Sequence, residues 1–166
     1  MIKMNQQMKL KFLKAKLKNC TLSDELKSVV EEGFLASDGC FLLARLLQHQ
    51  INVKLDDFPD RTGYECYINS IHIDDYVKVD FLGAGIGLLW GLFNWWECNF
   101  QSDVVLNAII SSEDMGVIIK FHVLRENESW VSENLEKYED EILVIDSREI
   151  PAMKVKGVVS YFSCAY

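Results

Sequence analysis

Few of the residues that advertise chemistry are present in this chain. Three histidines (His49, His72, His122) and two prolines occur in 166 residues. Two prolines and nine glycines leave no room for a Pro/Gly-rich linker, and no internal repeat or low-complexity segment is present. A chain that is 49% hydrophobic can offset its ordering entropy by burial, which excludes disorder. Its length fits one domain. The five cysteines (Cys20, Cys40, Cys66, Cys98, Cys164) form no CxxC pair, and their odd number cannot close into intramolecular bridges alone. A reducing compartment with structural thiols is the expectation. The N-terminal lysines interrupt any apolar signal core. The longest apolar run, Phe81 to Phe93, falls short of the roughly 18–20 residues that span a bilayer. It is read as a core element.

The motifs of catalysis and cofactor binding fail one by one. Gly83, Gly85 and Gly87 follow an apparent strand, but Leu88 stands where a dinucleotide loop needs its last glycine. Glycines that permit close backbone packing are the better reading. Asp56-Asp57-Phe58-Pro59-Asp60 has the DDxxD spacing of a magnesium–diphosphate motif, yet Pro59 inside it disfavours the helix that would align the carboxylates. Cys66 and His72 share an expected strand and would lie about 20 Å apart along it. Cys40 and His49 share an expected helix and would be about 13 Å apart in rise. Neither pair can meet locally. His122 alternates with Lys120 opposite Ile119, Phe121 and Val123, the pattern of a sheet-face histidine. No His/Cys pair has the spacing of a structural zinc site, and the loop acids do not complete an EF-hand. No catalytic residue, cofactor or metal site is assigned from the sequence.

Apolar periodicity organises the chain. Met8 to Lys18 alternates apolar residues with lysine, slipping once at Phe12-Leu13. It is read as a bulged strand, the rival being an amphipathic helix with Leu10, Leu13 and Leu17 on one side. Thr21 and Ser23 open a helix whose apolar face is Leu26, Val29, Val30 and Phe34. After Gly33 and Ser37-Asp38-Gly39 a second helix is expected over Cys40 to Gln50. Leu55 to Gly63 reads as a loop. Strands are expected at Tyr64–Ile73 and Tyr76–Phe81, joined by Asp74-Asp75 as a hairpin. A second hairpin joins Val104–Ile110 to Val117–Leu124. A late helix starts at Ser129 or Ser132 with Val131, Leu135, Tyr138 and Ile142 on one face. Strands close the chain at Ile142–Ile145 and about Val155–Phe162. Short links between strands favour antiparallel pairing. The expectation is a single α+β domain over residues 1–166, mainly antiparallel, with two N-terminal helices and one late short one.

Charge is the feature that remains. Of 17 basic residues, six lysines fall in the first 18 positions, leaving 11 against all 25 acids, a net of −14. Such a body repels nucleic acid and steers basic proteins towards itself. The segment Glu126 to Asp146 holds eight acids and one base, Lys137. The expected partner-binding residues are Glu126, Glu128, Trp130, Glu133, Glu136, Tyr138, Asp140 and Glu141, with the two aromatics as anchors. A charged solvent face is the plainer reading of the same residues.

In size, acidity and overall character the chain resembles bacterial immunity proteins, the antidotes that bind and block toxins such as those of contact-dependent growth inhibition. The resemblance implies a cytoplasmic protein that neutralises a basic toxin domain, such as a nuclease, by covering its active surface, without chemistry of its own. Two other classes fit the residues. One is a ligand-binding protein or enzyme with a pocket lined by the Trp/Gly-rich stretch, using Asn94, Glu97 and Cys98. The other is a structural or adaptor subunit using the same stretch. The oligomeric state is not encoded legibly.

Overall fold

The computed structural model describes residues 1–15, 22–49, 52–100, 103–113 and 116–149. In chain order the elements are β1 (Ile2–Met4), α1 (Gln6–Lys14), α2 (Asp24–Glu32), β2 (Phe34–Ser37), β3 (Cys40–Leu43), α3 (Ala44–Leu47), α4 (Arg61–Ile68), β4 (Ser70–His72), α5 (Phe81–Asn99), β5 (Leu106–Glu113), β6 (Gly116–Val123) and β7 (Glu141–Asp146). Short 3-10 turns lie at Leu55–Asp57, Ile73–Asp75, Leu135–Lys137 and Ser147–Glu149. Five strands form an antiparallel sheet in the order β1-β7-β5-β6-β4, and β2-β3 is a separate hairpin. This is an α+β fold with a mainly antiparallel sheet.

The apolar run becomes α5. Asp80, in left-handed geometry at φ 53°, caps it by accepting a hydrogen bond from the Gly83 amide at 3.1 Å. Leu82 to Leu89, Trp90, Leu92, Phe93 and Trp96 are buried against one face of the sheet, where Leu106, Ala108, Ile110, Ile119 and Phe121 meet them. The glycines set the approach distance. A Cβ on Gly91 would lie 2.8 Å from Val30 Cγ2, and one on Gly85 would lie 3.2 Å from Ile119 Cδ1. This tight packing, together with the Asp80 cap, overrides the alternation that suggested a strand over Tyr76–Phe81. Val79 is left exposed, and no hairpin forms at Asp74-Asp75.

Other local readings are corrected by caps and turns. Met8–Lys18 is not a strand where described: residues 6–14 are helix α1, because the buried Asn5 side chain accepts from the Met8 amide at 3.0 Å. Met8 is the one buried residue of that helix, and Leu10 and Leu13 are exposed. The Ser23 cap opens α2 as expected, accepting from the Leu26 amide. The helix expected at Cys40–Gln50 is instead β3 followed by the single turn α3. Asp38 (φ 53°) and Gly39 (φ 75°) place two consecutive left-handed residues between β2 and β3, the requirement of a tight two-residue hairpin turn. Tyr64–Ile73 is mostly α4, opened by the Asp60 carboxylate accepting from the Gly63 amide at 2.6 Å; only Ser70–His72 is strand. The Leu55–Gly63 loop contains a 3-10 turn and runs into α4. The β5–β6 hairpin and β7 form where expected. The strand expected at Val155–Phe162 lies outside the described residues.

The hairpin joins the main sheet through Glu65 of α4 and Asn69, the residue that caps the C-terminus of that helix. Pairing of β4 with β6 ends at Ser70. Beyond it, the Asn69 carbonyl accepts from the Phe121 amide (3.3 Å), and Asn69 Nδ2 donates to the Phe121 carbonyl (3.0 Å). Glu65 Oε2 accepts from the Val123 amide (2.8 Å). Facing β3, Glu65 Oε1 accepts from the Phe41 amide and Asn69 Oδ1 from the Leu43 amide, both at 2.7 Å, while Asn69 Nδ2 also donates to the Phe41 carbonyl. Glu65 and Asn69 are fully buried. Arg125 closes the arrangement with a bidentate pair to Glu65 at 2.7 and 2.8 Å, and it donates to the Gly39 carbonyl at 2.8 Å.

Removing one partner of such a buried pair costs about 3–5 kcal/mol, whereas apolar replacement of both is often neutral. Glu65→Ala is therefore expected to lower stability by about 3–5 kcal/mol in urea unfolding. The double variant Glu65→Leu/Arg125→Met should recover part of that loss. A loss under about 1 kcal/mol for Glu65→Ala would show that the bridge is not what holds the hairpin.

Candidate functional site

The acidic segment folds as a strap, residues 124–140, running from β6 to β7 across the sheet face opposite α5. It has no α-helix: the expected late helix reduces to the 3-10 turn Leu135–Lys137. The expected inward face survives that change. Val131, Leu135 and Tyr138 pack with Ile142 on Cys66, Ile109 and Val144. The helix does not form because side chains of the strap bond to its own backbone. The Tyr138 hydroxyl accepts from the Ser132 amide (2.9 Å), Ser129 Oγ donates to the Val131 carbonyl (2.6 Å), and Asn127 is left-handed at φ 62°.

The eight expected partner-binding residues divide into two groups. Glu128 accepts from the Thr62 amide (2.9 Å) in the first turn of α4. Glu136 accepts with both oxygens from the Gln6 amide, the first residue of α1 (3.1 Å each). Glu141 pairs with Lys11 at 3.1 Å. Tyr138 is occupied by the strap itself. These four fasten the strap; two of the acids do so at helix N-termini, where a carboxylate meets unpaired amides and the favourable end of the helix dipole. Burial opposes ionisation of Glu128, but the Thr62 hydrogen bonds, then Arg125 and Arg61, hold its carboxyl below the usual range. Glu126, Glu133 and Asp140 point to solvent, as do Glu136 and Glu139. Trp130 is 43% exposed. Five of the eight are thus exposed: Glu126, Trp130, Glu133, Glu136 and Asp140.

Trp130 has a neighbour the sequence did not link to it. Lys120 Nζ lies 5.7 Å from the centre of its ring and donates to Ser70 Oγ at 2.9 Å. Burial pushes the Lys120 amine below the ordinary lysine range. Deeper under the strap a polar row crosses three strands. His122 on β6 faces Asn107 on β5, and Asn107 is the register partner of Asp146 on β7. All three are buried. His122 Nε2 is 2.9 Å from Asn107 Nδ2, and Nδ1 is 3.0 Å from the Val123 carbonyl. The sequence marked His122 as a sheet-face residue, but nothing local pointed to Asn107 beside it.

Among the described residues, neither Cys40 nor Cys66 is hydrogen-bonded to a histidine. Cys66 is on α4 rather than on a strand with His72, and burial pushes its thiol far up. Burial also lifts the Cys40 thiol to about 11. Both thiols stay protonated near neutrality, which makes them poor nucleophiles. Among the described residues no group of three or more His, Cys, Asp or Glu side chains could hold a metal ion. No described helix is long and apolar enough to cross a membrane. In α5, Asn94 Nδ2 donates to its own helix at the Trp90 carbonyl, while Glu97 and Cys98 face solvent. Most of the stretch is core, and its three tryptophans and its glycines line no described cavity; a cavity of about 380 Å³ lies between the end of α1 and the start of α5, lined by Lys11, Lys14, Asp80, Phe81, Leu82 and Ser112 among others.

Fold and surface together define an acidic α+β protein whose sheet carries a buried helix on one face and a charged strap on the other. The chain belongs to the Uncharacterized protein PM0498 family, whose model matches residues 3–162. It is 31% identical over 123 residues to the "Uncharacterized protein PM0498" of Pasteurella multocida (strain Pm70), an alignment covering 68% of this chain and 76% of that protein. No solved structure matches the chain.

Burial holds the His122 imidazole below the ordinary histidine value of 6.5. The unfolded chain then binds the proton more readily than the folded one, so stability rises with pH across this range. The contribution of His122 is complete above about pH 6.5 and declines as pH falls through that value towards the lower folded one. Urea midpoints measured from pH 7.5 down to 5 should fall, and in His122→Phe the fall should be smaller. Identical pH slopes in the two proteins would contradict the assignment.

Proposed function

We propose that the protein binds a basic protein domain through the strap and neutralises it by covering its working surface, as an immunity protein does for a toxin. The supporting observation is the outer surface of the strap, where the exposed carboxylates of Glu126, Glu133 and Asp140 accompany the half-exposed ring of Trp130. Of the eight residues first considered, these four point outward and form the contact; Glu128, Tyr138 and Glu141 support it from beneath, and Glu136 does both.

The physics of such a contact is division of labour. A net charge of −8 accelerates encounter with a cationic partner, and the gain falls with ionic strength. The aromatic ring supplies the desolvated anchor that slows dissociation. Because the strap is stitched to α1 and α4 by its own acids, it meets the partner already ordered and loses little entropy on binding. A nuclease domain, whose surface is built to receive phosphate, has the complementary charge. The setting for this activity is the cytosol of the cell that makes the toxin. Inhibition by occlusion requires no catalytic residue in the protein itself.

Affinity purification from the native strain should recover a cationic protein encoded nearby, and the protein should protect cells from it. Glu126→Lys/Glu133→Lys/Asp140→Lys should weaken binding about 100-fold or more, mostly through the association rate and its salt dependence. Trp130→Ala should weaken it by about 10-fold or more, mostly through dissociation. Absence of any partner together with no protection, or full affinity in the triple variant, would overturn the proposal.

A further inference from the structure

The row Asp146–Asn107–His122 contains an unmet hydrogen bond that bears on how the protein responds to protons. The Val123 carbonyl can only accept, so Nδ1 of His122, 3.0 Å away, carries the ring hydrogen. Nε2 is then a bare lone pair, and it takes a hydrogen bond from Asn107 Nδ2 at 2.9 Å. A neutral ring satisfies both contacts. The amide does not fare as well: Asn107 Oδ1 is buried and has no hydrogen-bond partner among the described residues. A buried carbonyl oxygen left without a donor is an unusual and unfavourable state. It is also the atom an imidazolium would need.

We propose that His122 and Asn107 form a proton-coupled amide switch: when Nε2 takes a proton from solvent, the Asn107 amide turns over, and Oδ1 accepts the new Nε2–H. The Nδ2–H···Nε2 hydrogen bond is given up, and no other covalent bond is made or broken. Without the turn, Nε2–H would point at an N–H. The turn brings the unmet oxygen onto the proton and carries the NH2 group to the side of Asp146, the register partner of Asn107 on β7.

The groups around the ring bias this two-state element in opposing directions. Glu65 on α4 and Glu128 on the strap favour the charged ring, while Arg125 on the strap and burial oppose it. Lys120 lies two residues away on the same strand face, and Asp146 lies beyond Asn107. Arg125 also donates to the Val123 carbonyl at 3.2 Å, so a charged ring shares one acceptor with a guanidinium. That guanidinium fastens the beginning of the strap to Glu65 and to the hairpin turn at Gly39. Protonation therefore loads the point where the strap is anchored, and the amide turn supplies the compensating acceptor. The inference rests on the buried row and not on the proposed partner.

Nitrogen-15 NMR of the full chain tests it directly. In the wild type above neutrality, a coupling across the N–H···N bond should connect Asn107 Nδ2 with His122 Nε2. As the ring titrates it should be replaced by a coupling between His122 Nε2 and the side-chain carbonyl carbon of Asn107, read on carbon-13-labelled protein, while the backbone spectrum stays that of the folded protein. In Asn107→Leu the charged ring loses its acceptor, and the proton affinity of His122 should fall about tenfold, one pH unit. A fixed amide that serves only the neutral ring predicts the opposite, a rise in affinity in that variant. An unchanged or raised affinity, or a charged ring with no coupling to the Asn107 carbonyl, overturns the switch. If Asn107→Leu does not fold, the presence or absence of that carbonyl coupling in the wild type decides alone.

Discussion

The buried carboxylate of Glu65 is the constraint on which the rest depends. Its oxygens accept from two backbone amides on separate sheets and from both ends of one guanidinium. An ionised group with no exposed surface is tolerable only when its lone pairs are met and an opposite charge is fixed beside it. Each bond therefore dictates a position. The amide of Phe41 sets where the hairpin docks, that of Val123 sets where β6 ends, and Arg125 sets where the strap begins. With Asn69 one turn later on α4, the helix contributes two polar side chains where a further strand would otherwise complete the edge. Buried polar arrangements of this kind are costly when incomplete, so they specify one geometry.

The same economy of acids shapes the outer face. A protein with 25 acidic residues uses several of them as structural parts: Asp60 and Asp80 cap helices, Glu128 and Glu136 bind the first-turn amides of α4 and α1, and Glu141 holds Lys11. What reaches solvent is the remainder. A surface assembled this way is both charged and firmly held, since the bonded carboxylates anchor the segment that carries the exposed ones. Net charge by itself could not have separated the two roles.

The sheet has different chemistry on its two sides. Against α5 the contacts are mostly apolar and depend on shape, with glycines admitting Val30 and Ile119 to the helix backbone. Under the strap, Lys120, His122, Asn107 and Asp146 interrupt the apolar cluster around Ile109 and Val144. That second face keeps titratable groups from water, His122 and Asp146 among them.

Composition and periodicity by themselves determined the class of fold, the α2 cap at Ser23, the β5–β6 hairpin, β7, the buried fate of the Phe81–Phe93 run and the inward set Val131, Leu135, Tyr138 and Ile142. These are local or strongly patterned features, and local energetics suffices for them. The Asp38-Gly39 turn was also legible as a two-residue hairpin, had the dipeptide been weighed above the apolar run that follows it. Tertiary structure alone decided the rest. Alternation over Met8–Lys14 gave way to a helix whose cap, Asn5, is fixed by bonds to Asp140 and Ile142, and alternation over Tyr76–Asp80 gave way to an irregular turn that ends in the Asp80 cap of α5. Glu65 read as an ordinary acid on a strand because its partners are 24 to 60 residues away. The strap's acids looked alike in sequence, and only the positions of the α1 and α4 N-termini told the fastened ones from the exposed. A hydrogen bond across the fold contributes no periodicity to the chain that makes it, so the sequence could show the charge of this surface but not its construction.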